Sequence, residues 1–437
     1  MLASILGLLI YFINKNLNKN SLISFFITIG SLYLLRDYIA ARAQLVTFIL
    51  FIIAIFCIEK FMQGNNKKIY GISIILISLL IANIHVAVWP FLFILFLPYI
   101  AEQFVIWIYN LKIWIKIRKK KEYTKLEDKE LYKITFTKNK NIKYLLIILV
   151  ISILMGIFTP TKDNPYTHLY KLMKGNTTQS INEHQPLTLI QNKEIMCVMA
   201  SIVAILMFTK VKISFKNLTM LGGLILLCFM SQRQISLFVL IGNIIVTQII
   251  VDSLKNNKKL TIQNIDKYGQ SFIGTSLLFC VIITISWLNV KDKLNQKYVN
   301  EYEYPVEATK YIKEILIPKV GKDNLRLFNE YNYGSYLLLN DVPVFIDSRA
   351  DLYAPEFNGV KNEDGEYEGR DIFSDFIDVS NLNYYHEVVF EKYNINYVIL
   401  DRATKLNMVL CRDNNYDVEY IDDNFVIYKR NVNNEDF

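Results

Sequence analysis

Ten apolar runs separated by short polar breaks fill the first 290 residues: 1–13, 21–35, 44–58, 70–84, 88–110, 144–158, 195–209, 218–230, 235–251 and 271–289. Such runs predict membrane-spanning helices. Several fall short of the ~20 residues a straight span needs, so their true ends extend into the flanks. The run Met1–Ile13 is closed by Asn14, Lys15, Asn16 and Asn18. It has no basic stretch before it and no small-residue cleavage site after it. It therefore reads as the tail of a transmembrane helix rather than a signal peptide.

After Val290 the pattern changes. Residues 304–316 read as an amphipathic helix, 325–330 as a strand, 333–340 as a helix and 342–347 as a second strand. A helix at 384–395, a third strand at 397–401 and a helix at 407–413 follow. VEYID and FVIYKR, joined at Asp423-Asn424, form a terminal hairpin. This order predicts a small three-layer, Rossmann-like α/β domain with an antiparallel edge. The expected organisation is a polytopic α-helical membrane domain over 1–290, followed by an α/β domain over 291–437.

Charge sets the expected orientation. The net charge of +8 is not a nucleic-acid signal, because the excess sits between spans. Loops 14–20, 59–69, 111–143, 210–217 and 252–270 hold 24 Lys and Arg, whereas 36–43, 84–88, 159–194 and 231–234 hold seven. The positive-inside rule assigns the first set to the cytoplasm and the second, with the C-terminal domain, to the outside. The basic loop 111–143, with its run Arg118-Lys119-Lys120-Lys121, reads either as an ordinary cytoplasmic anchor or as a patch for anionic lipid. Richness in Ile, Lys and Asn points to an AT-rich bacterial genome. The expected location is the bacterial plasma membrane, with the C-terminus extracytoplasmic. Five scattered cysteines without CxxC spacing support neither a disulfide framework nor a zinc site.

Residues suited to chemistry gather in the outward breaks. His85 and Asn83 interrupt an otherwise apolar stretch, as a packed helix end or as a functional pair. Arg233 stands in the tight break SQRQ, where its planar fork suits a phosphate or a lipid headgroup. Arg36 and Asp37 can pair with one another, and Arg42 has no local acidic partner beyond Asp37. The loop 159–194 carries Asp163, His168, Glu183 and His184, a set that suits a divalent metal, acid/base chemistry or a solvated loop. In the C-terminal domain, Asn329, Glu330, Asp347, Arg349, Asp351, Asp401 and Arg402 fall at the expected C-terminal ends of strands, where open α/β sheets bind ligands. No glycine-rich phosphate loop accompanies them, and an internal network bracing the loop 347–371 accounts for them equally.

Together these segments resemble the glycosyltransferase C superfamily of bacterial membrane proteins. ARAQLVTFILF is similar to its arginine-led helix start, LIANIHVAVW to its Asn-x-His helix end, and FTPTKDNPYTHLY with INEHQP to its Asn-Pro-Tyr loop and later Glu-aromatic-x-Pro. SQRQISLF resembles its arginine hinge. LRLFNEYNYGSYLLL with VPVFIDSRADLY resembles the core of its outer domain. The pattern commonly has Glu-Trp where this chain has Glu183-His184, and Asp-Gly-Arg where it has Asp347-Ser348-Arg349.

The resemblance implies transfer of a sugar from a polyprenyl-phosphate carrier to an acceptor at the outer membrane face. Arg42 and Arg233 would face the leaving phosphate, and Glu183 is the best-placed base. Asn83, His85, Asp163, His168 and His184 would bind substrate. The superfamily also has a first helix and an outer loop with an acidic catalytic residue, and this chain starts after both. The expectation is an enzyme incomplete or inactive as this chain alone, partnered by a separately encoded N-terminal segment. The competing reading is a non-catalytic scaffold or handler of lipid-linked glycans, whose outer domain binds saccharide or protein. A transporter would show internal repeats and charges buried within spans, and the sequence shows neither.

Overall fold

The computed structural model describes residues 1–40, 43–117, 125–126, 132–160, 164–174, 181–255, 272–291, 294, 297–361 and 367–431. Arg42, Asp163 and the run Arg118–Lys121 lie outside the described residues. The chain divides into two compact units, Met1–Tyr170 with Asn182–Ile283, and Lys171–Ile181 with Thr284–Phe437.

Each apolar run of the first 290 residues becomes helical, and the helices over 164–174 and 272–290 cross the division between the two units. The helices are α1 (Leu2–Asn18), α2 (Ser21–Leu34), α3 (Ala43–Met62), α4 (Lys67–Ile84), α5 (Trp89–Ile94), α6 (Leu97–Ile117), α7 (Ile142–Leu154), α8 (Asn164–Lys174), α9 (Lys193–Phe208), α10 (Phe215–Met230), α11 (Ile235–Lys255) and α12 (Phe272–Val290). Among the described residues, four stretches are long and apolar enough to cross a membrane: Ala43–Met62, Lys67–Ile84, Val86–Lys112 and Gln232–Lys255. Ser21–Leu34, Ile142–Phe158, Phe215–Met230 and Phe279–Val290 are apolar but shorter. The first unit is thus compatible with a membrane protein, although fewer of the ten expected spans reach full length.

Helix α11 is apolar on every side and buries every residue from Ile235 to Ile245. It shares one continuous core with α3, whose Phe51, Ile52 and Ile58 are fully buried. Outer helices leave large apolar side chains uncovered, including Leu76 on α4 and Trp107 on α6.

Three local expectations need correction. Asn14 does not close the first run, because α1 continues to Asn18. Asn14 is wholly buried and donates from Nδ2 to Oδ1 of Asn243 on α11 at 2.7 Å. The two amides satisfy each other, which lets them sit in an apolar core. The run 88–110 lies inside one candidate span, Val86–Lys112, but its helix is interrupted. It breaks at Leu95-Phe96, whose N–H groups bond three residues back to Leu92 and Phe93. Pro98 has no N–H to continue the ladder there. Finally, an ionisable group is buried within a span: Glu102, on α6, is 5% exposed and accepts from the Thr137 amide at 3.4 Å.

Two short strands, β1 (Ile134–Thr135) and β2 (Ile213–Ser214), pair in parallel in the first unit.

The second unit is built on a four-stranded sheet of β3 (Leu327–Phe328), β6 (Tyr397–Asp401), β7 (Tyr416–Ile421) and β8 (Phe425–Arg430), in the order β3-β6-β8-β7. β4 (Val360–Lys361) and β5 (Tyr367–Glu368) form a separate small hairpin. β3 runs parallel to β6, and β8 is antiparallel to both β6 and β7. The expected terminal hairpin and antiparallel edge are present.

Side chains alternate across the sheet. Val398 and Leu400 enter a core with Phe376, Phe390 and Leu410, and Tyr397 and Ile399 enter another with Ala308, Ile312 and Leu337. Helices covering these cores include Val306–Tyr311, Tyr331–Leu339, Ile372–Asn381, His386–Lys392 and Lys405–Leu410. Ile372–Asn381 has no counterpart in the expected element order.

The expected strand at 342–347 does not form. Asn329 takes its place in the hydrogen-bonding scheme, since Oδ1 accepts from the Phe345 amide at 2.8 Å and Nδ2 donates to the Ile346 carbonyl at 2.8 Å. A side chain thus satisfies backbone groups that a neighbouring strand would otherwise pair.

Candidate functional site

The first unit gathers its polar turns at one end. Four single 3₁₀ turns carry the expected site residues: Arg36–Tyr38, Val86–Val88 beside His85, Asn182–His184 and Gln232–Gln234. Hydrogen bonds join three of them. The Tyr38 hydroxyl donates to the Gln232 carbonyl at 2.9 Å. Ser231 Oγ donates to the Glu183 carbonyl at 3.1 Å, and the Gln232 amide donates to the Gln185 carbonyl at 2.9 Å. Burial, and then the nearby Glu183 carboxylate, push the Tyr38 hydroxyl up to about 12. It therefore remains a donor through the physiological range.

His85 follows α4 directly and stands 3.2 Å from Thr47 Oγ1 through Nδ1. Burial, with the positive fields of Arg233 and His168, lowers it to about 4. It is neutral at pH 7 and offers a hydrogen bond, not a charge. Arg233 is half-buried, and its guanidinium makes no hydrogen bond or ion pair with a described residue.

His168 is 9% exposed on α8. That helix is held by Tyr166, whose hydroxyl donates to the Ile153 carbonyl at 2.7 Å and whose ring stands edge-on to Trp89. Gly156 permits the approach, because a Cβ there would meet the Trp89 ring at 2.6 Å.

Not every expected residue joins in. Asn83 spends its amide on the Leu79 and Phe158 carbonyls, pinning α4 to the end of the α7 segment. Arg36 bonds Glu194 Oε2 at 3.2 Å and stacks on Tyr33, with Asp37 farther away at 3.7 Å. Adjacency in the chain points to Asp37, whereas packing brings Glu194 closer. A cavity of about 480 Å³ opens beside this pair, lined by Arg36, Tyr38, Asn192, Glu194 and Gln232.

The proposed metal set of Asp163, His168, Glu183 and His184 is not assembled among the described residues. The described group that comes within ligand distance is His386, Glu387 and Asp413, in the second unit.

At the opposite end lies a larger cavity of about 560 Å³, lined by residues outside the candidates read from the sequence. Lys216 there bonds Glu59 at 2.7 and 3.0 Å, and Tyr99 donates to Glu59 at 2.7 Å. The available signal was Glu102 inside the apolar run 88–110, since Glu59 and Lys216 stand in polar breaks.

In the second unit the candidates serve mostly as braces. Asp347 is wholly buried. Burial raises its carboxyl, but bonds from Arg349 and Tyr353 outweigh that and hold it below its ordinary value. Arg349 grips it through Nε at 3.0 Å and Nη2 at 2.5 Å. Arg402 donates to the carbonyls of Asp422 and Asp423 at the hairpin turn. Asp351 lies half-buried in the turn Ala350–Tyr353. Glu330 and Asp401 face each other across the ends of β3 and β6. Burial, then the Asp401 charge, raises Glu330 to about 7.

Comparison with protein-family models and with curated protein sequences gives no match for this chain.

Proposed function

We propose that this protein transfers a sugar from a polyprenyl-phosphate carrier to an acceptor hydroxyl, as a member of the glycosyltransferase C superfamily. The observation that carries the reading is Arg233. It is a half-buried guanidinium with no ion-pair partner among the described residues, in a turn bonded to the Glu183 turn and with a neutral histidine in its field. Such a fork suits a phosphate bidentately, and a leaving phosphate gains negative charge in the transition state.

In the proposed step the acceptor oxygen bonds to the sugar's anomeric carbon and the bond from that carbon to the phosphate oxygen breaks. Polyprenyl phosphate leaves with the electron pair beside Arg233. Glu183 takes the acceptor proton, and neutral His85 orients a hydroxyl by hydrogen bonding. On this reading the end bearing Arg233 faces outward at the plasma membrane, and the second unit is an extracytoplasmic, Rossmann-like domain.

The test is turnover. The full chain in lipid nanodiscs is supplied with polyprenyl-phosphate sugars and candidate acceptors, and glycosylated product is measured. Glu183→Gln is expected to lower the rate by a factor of ~10²–10⁴ while carrier binding persists. Carrier binding without any turnover would instead support either an enzyme inactive as this chain alone or a non-catalytic handler of lipid-linked glycans.

A further inference from the structure

We propose a divalent-cation site in the second unit, formed by His386, Glu387 and Asp413 and suited to zinc. It shares no residue with the turns around Arg233 and stands independently of the transferase reading.

His386 opens the helix His386–Lys392, and its ring is 3% exposed, packed among Tyr385, Phe390 and Tyr416. Its Nε2 is buried and makes no hydrogen bond. A buried polar nitrogen without a hydrogen bond is costly, so it calls for a closer ligand than the neighbouring Glu387 carboxylate supplies. That nitrogen stands 3.5 Å from Oε1 of Glu387. Two donors held at ~2.0–2.2 Å round one tetrahedral ion are about 3.3–3.6 Å apart, so the spacing is that of a shared metal. Asp413 supplies the third donor, and the three ligand atoms lie within 4.8 Å of one another.

The surrounding bonds leave these donors available and hold them in place. Arg430 takes Oε2 of Glu387 through Nε at 2.9 Å and Nη2 at 2.5 Å, which directs Oε1 toward His386. The Tyr416 hydroxyl also donates to Oε1, which keeps a second lone pair. Asp413 Oδ1 accepts from the Asn415 amide at 2.9 Å in the turn before β7. Asp413 is half-buried, so the third donor and a solvent ligand lie at the entrance.

Charge also favours a cation. Glu387, Asp413 and Glu391, whose Oε1 is 3.6 Å from Arg430, carry three negative charges against one on Arg430. Imidazole with two carboxylates suits zinc, the fourth position being left to water.

The test uses the full chain in detergent, titrated with Zn²⁺ by calorimetry and then with Co²⁺ as a visible probe of tetrahedral coordination. One equivalent is expected to bind. His386→Gln and Asp413→Asn should each weaken it about tenfold or more. Asp413→Asn keeps the side-chain shape at a half-exposed position, so it reports on ligation even if His386→Gln unfolds the unit. The triple variant His85→Gln, His168→Gln, His184→Gln should bind the equivalent unchanged. Failure to bind Zn²⁺, binding that survives Asp413→Asn undiminished, or loss of the equivalent in the triple variant would each overturn the assignment.

Discussion

The hydroxyl of Ser231 and the main-chain carbonyl of Glu183, 48 residues apart, are joined by a 3.1 Å hydrogen bond. With the Gln232–Gln185 bond beside it, the turn carrying Arg233 is held against the turn carrying Glu183. A cation for a leaving phosphate and a base for an acceptor would need such mutual placement.

Arg233→Ala is expected to leave expression and membrane level unchanged, because no described carboxylate depends on it. Affinity for a polyprenyl phosphate should fall about tenfold, and Arg233→Lys should recover part of it, since an ammonium lacks the bidentate fork. Binding to carrier-loaded nanodiscs measures this. Loss of folded protein in Arg233→Ala would show that the arginine is a structural brace.

Gly334 lies where helix Tyr331–Leu339 meets the backbone of Ile346, and a Cβ there would stand 2.0 Å from the Ile346 carbonyl oxygen. Backbone cannot swing aside as a side chain can. Gly334→Ala should destabilise the second unit by about 3 kcal/mol or more. Limited proteolysis of the full chain would register this as early cleavage between 300 and 430. A variant as resistant as the parent would mean that the helix shifts freely.

Arg349 and Asp347 should behave as an asymmetric pair. Asp347 is wholly buried while the Arg349 side chain is 58% exposed. Arg349→Ala strands a buried carboxylate and is expected to cost about 2–3 kcal/mol, reduced from a fully buried pair by the solvent around the guanidinium. The double variant Arg349→Ala, Asp347→Asn should recover part of that loss. Chemical denaturation followed by aromatic fluorescence would detect both effects, and a neutral Arg349→Ala would assign the pair no bracing role.

Glu330 gives the second unit a pH dependence of defined sign. Its folded value of about 7 exceeds the ordinary carboxyl value. Stability from this group is complete below about pH 4.3 and is lost as pH rises through about 7, because the unfolded chain gives up the proton first. The unit should lose on the order of 2 kcal/mol between pH 5 and 8, allowing for solvent at the carboxylate. Glu330→Gln should flatten that slope and be the more stable form at pH 8. Thermal melts at fixed ionic strength across this range decide it, and an unchanged slope in the variant would place the titration elsewhere.

The helices were legible in the sequence because a run of apolar residues has few ways to satisfy its backbone away from water. The runs at 21–35, 44–58 and 235–251 accordingly reappear as α2, α3 and α11 with small changes at their ends. The strands at 397–401 and 425–430 were legible for a related reason, since β-rich segments bounded by turn residues and chain connectivity leave little choice of partner.

Polar side chains were a different matter. Asn14 reads locally as the end of an apolar run, and it is buried only because Asn243 arrives from 229 residues away. Arg36 has Asp37 beside it in the chain, yet helix packing brings Glu194 nearer. VPVFID has the composition of a strand, but the Asn329 side chain holds the backbone bonds that would have paired it. His386, Glu387 and Asp413 show no metal spacing along the chain and converge across a helix and a turn. Local periodicity determined where elements run, because burying backbone and apolar surface is a local demand repeated every few residues. Which polar groups meet was decided by tertiary structure, because a hydrogen bond or ion pair is set to within an ångström by packing between elements far apart in the chain.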